Sequence, residues 1–210
     1  MPKARIAVLV SGGGTNLQAL IDAQTAGKIV SGEICLVISN NPNAYALERA
    51  KNAGIATQVA VKKELGSQAA FEQKIKDLLS EAKIDLIVLA GFMSILSENF
   101  TKDYPERILN VHPSLIPSFC GVGYYGLRVH EAALRYGVKL SGATVHFVTE
   151  ECDGGPIIAQ KSVAVLENDT PESLQKRIME EAEWKLLPEA VSLFCQDRLT
   201  VCGRTVKIKE

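Results

Sequence analysis

The 210-residue sequence lacks several features that would identify a metalloprotein, a membrane protein or a nucleic-acid-binding protein. Its five cysteines are scattered: no two have Cys-x-x-Cys spacing, and no histidine lies at zinc-finger distance. The longest early apolar run, residues 6–10, is short and is broken by glycine, so it suits neither a signal peptide nor a membrane span. The net charge of −1 argues against nucleic-acid binding driven by overall charge, although a local basic patch stays possible.

Other absences bear on compartment and domain count. An odd number of scattered cysteines fits reduced thiols, so we expect a cytoplasmic protein. The sequence has no internal repeat, no low-complexity segment and no obvious interdomain linker. Its length suits one domain, and 47% hydrophobic residues suffice for a sizeable core. We therefore expect a single domain over residues 1–210, as a monomer or a homodimer.

Strand-like and helical patterns alternate through the first half of the chain. Apolar runs at residues 6–10, 34–39 and 85–90 predict strands buried on both faces, and helical spacing at 44–53 and 67–82 predicts intervening helices. Such alternation indicates right-handed βαβ units. We predict an α/β fold: a Rossmann-like, open, mostly parallel twisted sheet with helices on both faces. In the C-terminal half, alternating patterns at 139–148 and 157–164 and a hairpin near the end predict antiparallel strands.

A glycine-rich turn at residues 11–15 joins the first strand to a helix that opens at Asn16. Backbone N–H groups and the helix dipole at such a turn favour an anion. Leu17 stands where a dinucleotide-binding fingerprint has its third glycine, and no Gly-Lys-Ser/Thr is present, so neither familiar nucleotide motif fits. A site for a phosphate monoester and a purely structural turn both stay open.

Asn110 and His112 lie two residues apart at the end of a predicted strand, which Pro113 terminates. Ligands bind at this end of the strands in open parallel sheets. An imidazole donates or takes a proton near neutral pH, and an amide donates hydrogen bonds to a developing oxyanion. The alternative is a pair of strand-end side chains that bond nearby backbone.

Four more polar residues allow two interpretations each. Asp153 lies in an Asp-Gly-Gly-Pro turn, where aspartate is usually structural. Glu183 is either a surface residue or a ligand contact. His130 is expected to be a capping or surface residue at the start of a short helix over residues 129–136, and His146 to be a structural histidine or to line a pocket. Residues 118–127, rich in Gly and Tyr, are expected to form a mobile loop.

Four segments, in this order and spacing, resemble the folate-dependent formyltransferases. They are Ser-Gly-Gly-Gly-Thr-Asn-Leu-Gln at 11–18, Leu-Ala-Gly-Phe-Met at 89–93, Asn-Val-His-Pro-Ser-Leu-Ile-Pro at 110–117 and Asp-Gly-Gly-Pro at 153–156. The resemblance extends from about residue 5 to residue 199, and it is strongest to members that act on glycinamide ribonucleotide.

The resemblance implies small-molecule substrates and no metal. The co-substrate would be 10-formyltetrahydrofolate, and the acceptor would be the amine of glycinamide ribonucleotide. Gly14, Thr15 and Asn16 would bind the acceptor phosphate, and Glu183 its ribose hydroxyls. The half of about 1–100 would then hold the phosphate, and the half of about 101–210 would be catalytic and folate-binding.

The resemblance also implies a folate pocket. Its residues would be Gln68, Met93, Ser94, Ile95, Leu96 and Asn110. Members of the family often carry arginine at the positions of Ser94 and Gln68, and histidine at that of Trp184, so this sequence departs from the pattern on both substrate sides. Recognition of the folate glutamate tail is thus in question.

By the same resemblance Asn110 and His112 would stabilise the oxyanion that forms on the formyl group. Asp153 would lie near His112 and raise its pKa. Two rivals follow. One is other 10-formyltetrahydrofolate chemistry, either hydrolysis or transfer to another amine. The second is a phosphate-sugar binding module without catalysis.

Overall fold

A computed structural model describes residues 2–209. In this structure, strands and helices alternate from the N-terminus. The strands are β1 Ala4–Val10, β2 Gly32–Ser39, β3 Ala56–Val59, β4 Leu86–Leu89, β5 Ile108–His112, β6 Leu140–Phe147, β7 Ile157–Ala164, β8 Leu199–Cys202 and β9 Thr205–Ile208. The helices are α1 Thr15–Thr25, α2 Tyr45–Asn52, α3 Lys62–Leu65, α4 Gln68–Glu81, α5 Glu98–Asp103, α6 Leu127–Tyr136, α7 Pro171–Ile178 and α8 Trp184–Cys195. A π-helical turn, Met179–Glu183, joins the last two helices.

All nine strands form one sheet in the order β3-β2-β1-β4-β5-β6-β7-β9-β8. The pairs among β1 to β5 are parallel, and β6 runs antiparallel to both β5 and β7. The mostly parallel sheet with antiparallel C-terminal strands is confirmed. Its strand order reverses between β1 and β4, which creates a crevice at their carboxyl ends where ligands bind in such folds.

The predicted burial of the first strand on both faces is confirmed. Ile6, Val8 and Val10 belong to one apolar cluster with residues of α1 and α8, whereas Ala7 and Leu9 belong to another with residues of α4 and α5. Side chains alternate between the faces of a strand, so an unbroken apolar run supplies both layers. Helices therefore cover both faces of the sheet, and this packing holds the strand ends that border the crevice in place.

Three local features differ from the sequence-based expectation. The short helices α3 and α5 were not predicted, because four and six residues are too few to show a helical period. The C-terminal helix is interrupted by the π-helical turn Met179–Glu183, whereas Pro188 lies inside α8. Within residues 2–209, no helix is both long and apolar enough to cross a membrane.

Candidate active site

A cavity of about 710 Å³ opens at the crevice beside β1, β4 and β5. Its volume lies in the range of small-molecule sites. Its wall includes most of the predicted site residues, namely Asn16, Met93, Ser94, Ile95, Leu96, Asn110, His112, Asp153 and Glu183. The fold thus brings together residues from distant parts of the sequence.

Asn110, His112 and Asp153 meet at one end of this cavity. Both strand residues lie on β5, which ends before Pro113 as predicted. The carboxylate of Asp153 reaches both of them: its Oδ2 lies 3.5 Å from His112 Nδ1, and its Oδ1 lies 3.5 Å from Asn110 Nδ2. An amide donor, an imidazole and a carboxylate therefore face one space, the arrangement expected for oxyanion stabilisation with proton transfer.

His146 belongs to the same cluster, although a structural role was the leading expectation for it. It is the cross-strand partner of Asn110 in the β5–β6 pair, and its Nε2 lies 3.2 Å from Asn110 Nδ2 and 3.6 Å from Asp153 Oδ1. Its Nδ1 lies 2.8 Å from the carbonyl oxygen of Phe147, so Nδ1 carries the proton and Nε2 accepts. Alternation along residues 144–148 could have revealed this position only if the pairing register had been known.

Two non-glycine residues in left-handed backbone conformation fix the orientation of His112 and Asp153. Phe119, with φ of 50°, directs its carbonyl oxygen to His112 Nε2 at 2.9 Å, so Nε2 carries the ring proton. Asp153 itself has φ of 55°, and its Oδ2 accepts a 2.8 Å hydrogen bond from the Gly121 N–H. Left-handed residues of this kind cluster at functional sites. Through Phe119 and Gly121, the segment 118–126 thus fixes the positions of His112 and Asp153.

The pKa of His112 is lowered, which corrects the expectation that Asp153 raises it. Burial dominates, since the ring is only 4% exposed, and it outweighs the opposing effects of Asp153 and the Phe119 carbonyl. Burial would raise the pKa of Asp153, but the neighbouring His146 and His112 imidazoles and the Gly121 N–H outweigh burial and lower it. The resting pair is therefore a neutral imidazole beside a carboxylate.

His130 is neither a cap nor a surface residue, contrary to expectation. It lies inside α6, its side chain is fully buried, and neither ring nitrogen has a hydrogen-bond partner among residues 2–209. Burial, together with the charge of His112, lowers its pKa to about 4. The helix begins at Leu127, two residues earlier than the pattern suggested, so His130 lies inside it, among the buried residues Val129, Ala132 and Ala133.

The glycine-rich turn is exposed at Gly12 and Gly13, so its backbone is open to a ligand, as an anion site requires. Gly14 precedes α1 in left-handed conformation, and a Cβ there would lie 2.6 Å from Ala46 Cβ, so only glycine fits. The carbonyls of Gly12 and Gly13 accept hydrogen bonds from Ala46 N and Arg49 Nε. The space where side chains of Gly12 and Gly13 would lie is open, which lets a ligand approach the backbone closely.

Asn16 and Glu183 form a buried pair beside this turn. Asn16 Nδ2 donates a 2.6 Å hydrogen bond to Glu183 Oε2, and both side chains are less than a tenth exposed. Burial raises the pKa of Glu183 to about 7, partly offset by that hydrogen bond. The surface interpretation of Glu183 is therefore wrong, because the π-helical turn directs it inward. Asn16 Oδ1 has no partner within residues 2–209 and is buried beside the cavity.

The loop after β4 forms the other wall of the cavity. Met93 and Ile95 are more than half exposed, whereas Leu96 is buried beneath them. Met93 N–H donates a 2.8 Å hydrogen bond to Ser11 Oγ, at the start of the glycine-rich turn. Gln68, on α4, donates from Nε2 to the carbonyl oxygen of Ile95 at 3.1 Å. The loop is therefore tied to both neighbouring elements, with an apolar surface facing outward.

No group of three or more His, Cys, Asp or Glu side chains among residues 2–209 is arranged to hold a metal ion. All five cysteines are free thiols, and burial is the largest of the effects that raise the pKa of Cys120 and Cys152 beside Asp153.

Comparison with known proteins agrees with this geometry. The model of the family described as formyl transferase matches residues 4–191. The phosphoribosylglycinamide formyltransferase of Haemophilus influenzae is 42% identical over 195 residues, which are 93% of this chain and 89% of that protein. The crystal structure of glycinamide ribonucleotide transformylase 1 from Symbiobacterium toebii superposes with a TM-score of 0.93 at 44% identity, covering 99% of this chain and 95% of that one. The trifunctional purine biosynthetic protein adenosine-3 of Gallus gallus is 44% identical over 98% of this chain, which spans 20% of that longer protein.

Proposed function

Because the chain belongs to the formyl transferase family and is a formyltransferase, we propose that it transfers the formyl group of 10-formyltetrahydrofolate to the amine of glycinamide ribonucleotide. The products are formylglycinamide ribonucleotide and tetrahydrofolate, in purine biosynthesis. The observation that carries the proposal is the convergence of Asn110, His112 and Asp153 in one cavity, between a glycine-rich anion turn and an apolar loop.

The amine attacks the formyl carbon directly, and negative charge develops on the formyl oxygen. The Asn110 amide donates a hydrogen bond to that oxygen. His112 begins neutral, because burial lowers its pKa, and its Nδ1 takes the proton that the amine loses. Asp153, 3.5 Å from Nδ1, stabilises the imidazolium and organises the transfer of this proton to the leaving N10. No covalent intermediate with the protein forms.

Positioning supplies much of the remaining acceleration. The N–H groups at Gly14, Thr15 and Asn16 bind the acceptor phosphate, and Glu183 accepts hydrogen bonds from the ribose hydroxyls. The pterin packs on the loop of Met93 to Leu96, with Gln68 behind it. Two substrates held at fixed distance react as if in one molecule.

We further propose that the enzyme acts in the cytoplasm, as a monomer or homodimer, on small molecules without nucleic acid, membrane or metal. Five free cysteines support a reducing compartment. The hydrogen-bond donors at the formyl oxygen supply the stabilisation that a metal gives in other acyl transfers.

The test is to mix purified protein with both substrates and to follow tetrahydrofolate release with and without the ribonucleotide. We expect release only when glycinamide ribonucleotide is present. Release that ignores the ribonucleotide would establish a hydrolase instead. Binding of the ribonucleotide without any release would leave only a binding module.

A further inference from the structure

The wall of the 710 Å³ cavity contains no lysine or arginine among the residues that the structure describes. Its charged groups are acidic: Asp153 and Glu151 at the catalytic end, and Glu183 at the acceptor end. The cavity is therefore electronegative, apart from the N–H groups of the glycine-rich turn.

This lining suits one part of a folate and not another. The pterin and the formyl-bearing nitrogen are neutral, and an apolar wall with few polar groups holds a flat ring. The glutamate tail carries two carboxylates, whose strong partners are arginine or lysine in charge-assisted hydrogen bonds. A carboxylate near an acidic wall gains nothing to offset its lost hydration.

The polar side chains beside the apolar loop are already engaged within the protein. Gln68 Nε2 donates to Glu72 Oε1 at 2.6 Å and to the Ile95 carbonyl, which uses both of its protons. Glu72 is buried, and although burial raises its pKa, hydrogen bonds from Ser97 and Gln68 lower it, so it stays ionised and keeps Gln68 in place. Ser94 Oγ accepts a 2.8 Å hydrogen bond from Asn40 Nδ2 and offers only a neutral hydroxyl.

We propose that this site selects its donor by the pterin and formyl-bearing part alone, and that the glutamate tail stays in solvent and contributes nothing to transfer. The inference rests on the proposed function, since it specifies the donor of that same site. It predicts that the enzyme uses donors irrespective of tail length, including one with no glutamate.

The experiment compares two donors that differ only in the tail: 10-formyltetrahydrofolate and 10-formyltetrahydropteroate, which ends at the benzoate. With saturating glycinamide ribonucleotide, we expect kcat/KM for the two to agree within about threefold, the size of a weak exposed ion pair. A loss of about tenfold or more on removing the glutamate would overturn the proposal and point to a cation beyond the cavity wall. Absence of transfer from either donor would instead remove the proposed function.

A gain-of-function variant tests where the glutamate tail of the donor lies. Ser94→Arg places a guanidinium at the mouth, and we expect it to lower the ratio of KM for the glutamate-bearing donor to KM for the tailless donor by about three- to tenfold. The matched control is Ser94→Gln, which has comparable length and no charge. The tailless donor also reports whether each variant is folded and active. A Ser94→Arg enzyme without any tail preference would show that position 94 does not face the tail, and would overturn the assignment.

Discussion

At the scale of single residues, the catalytic cluster contains one carboxylate and two imidazoles within 3.6 Å of it. His112 must be neutral to take a proton and charged to give it away. Burial favours the neutral ring and Asp153 the charged one, so the two opposing effects keep His112 able to do both.

Asp153→Asn tests this balance without disturbing the backbone, because asparagine tolerates left-handed φ and its oxygen still accepts from Gly121 N–H. We expect kcat to fall by about 10²- to 10⁴-fold with a small change in KM. The kcat of His112→Ala should fall by a factor in the same range. The control is Cys202→Ser, an exposed cysteine on β8 outside the cavity wall, which should keep wild-type turnover. Near-wild-type rates in both active-site variants would remove the assignment.

The raised pKa of Glu183 makes the free energy of unfolding depend on pH, and the direction of that dependence follows from the shift. Its pKa is about 7 when folded, above the ordinary 4.5, so the folded state binds more protons between these values and stability falls as pH rises through this window. Glu183→Gln removes the ionisation. We expect the variant to gain stability over wild type from pH 4.5 to pH 8, by at most about 3 kcal/mol, since each pKa unit is worth about 1.4 kcal/mol.

Urea denaturation of both proteins at pH 4.5 and pH 8 measures this difference. Glu181→Gln, exposed on the same π-helical turn, is the matched control and should show no such change. An equal stability difference at both pH values would contradict a raised pKa. Ribonucleotide KM should rise in Glu183→Gln, because the amide is a weaker acceptor for ribose hydroxyls.

At the scale of elements, the Asp153 turn is held against the end of β6 by one glycine. A Cβ on Gly155 would lie 1.8 Å from the carbonyl oxygen of Phe147, which is backbone and cannot yield. The neighbouring Gly154 would meet only the side chain of Glu151, which can rotate away. Two adjacent glycines therefore differ in what they tolerate.

Gly155→Ala should displace Asp153 and lower kcat by about tenfold or more, and should also destabilise the fold by about 1–3 kcal/mol. Gly154→Ala should stay within about 0.5 kcal/mol of wild type and keep most activity. Steady-state kinetics and urea denaturation of the two variants check this. Equal effects at both positions would show that contact with Phe147 does not control the turn.

Elements with strong local signals were predictable from sequence. The apolar runs of β1, β2 and β4 indicate strands on their own, Pro113 terminates β5, and Ser67 caps α4, where its hydroxyl accepts from Ala70 N–H. The π-helical turn was not predictable, because five residues are too few to show a separate period in the apolar spacing. It nevertheless decides that Glu183 faces inward and Glu181 outward.

At the scale of the whole molecule, the sequence indicates the fold class but not the strand order. Placement of Asn110 opposite His146, 36 residues away in sequence, depends on the antiparallel pairing of β5 with β6. Placement of Asp153 depends on the turn that follows β6. His130 was misjudged for the same reason, since its burial comes from packing against elements distant in the chain. Local pattern identifies candidate residues, and tertiary pairing selects among them.

The hydrogen bond from Met93 N–H to Ser11 Oγ has a consequence for thermodynamic linkage. It joins the turn proposed to bind the acceptor phosphate to the loop proposed to bind the donor, so we expect an anion that orders the turn to favour the bound form of the loop. Such coupling is reciprocal: each ligand must raise the affinity for the other by the same factor. We expect glycinamide ribonucleotide to tighten tetrahydrofolate binding by about two- to fivefold, and tetrahydrofolate to do the same for the ribonucleotide.

Calorimetric titration of each ligand in the absence and presence of the other measures this factor. In Ser11→Ala it should fall to about one with the separate affinities little changed, whereas Ser80→Ala, on the exposed face of α4, should retain it. A coupling factor that survives in Ser11→Ala would place the connection elsewhere. We therefore expect a single hydroxyl to set the interaction energy between the two ligands, and either substrate to bind first according to its concentration and its separate affinity.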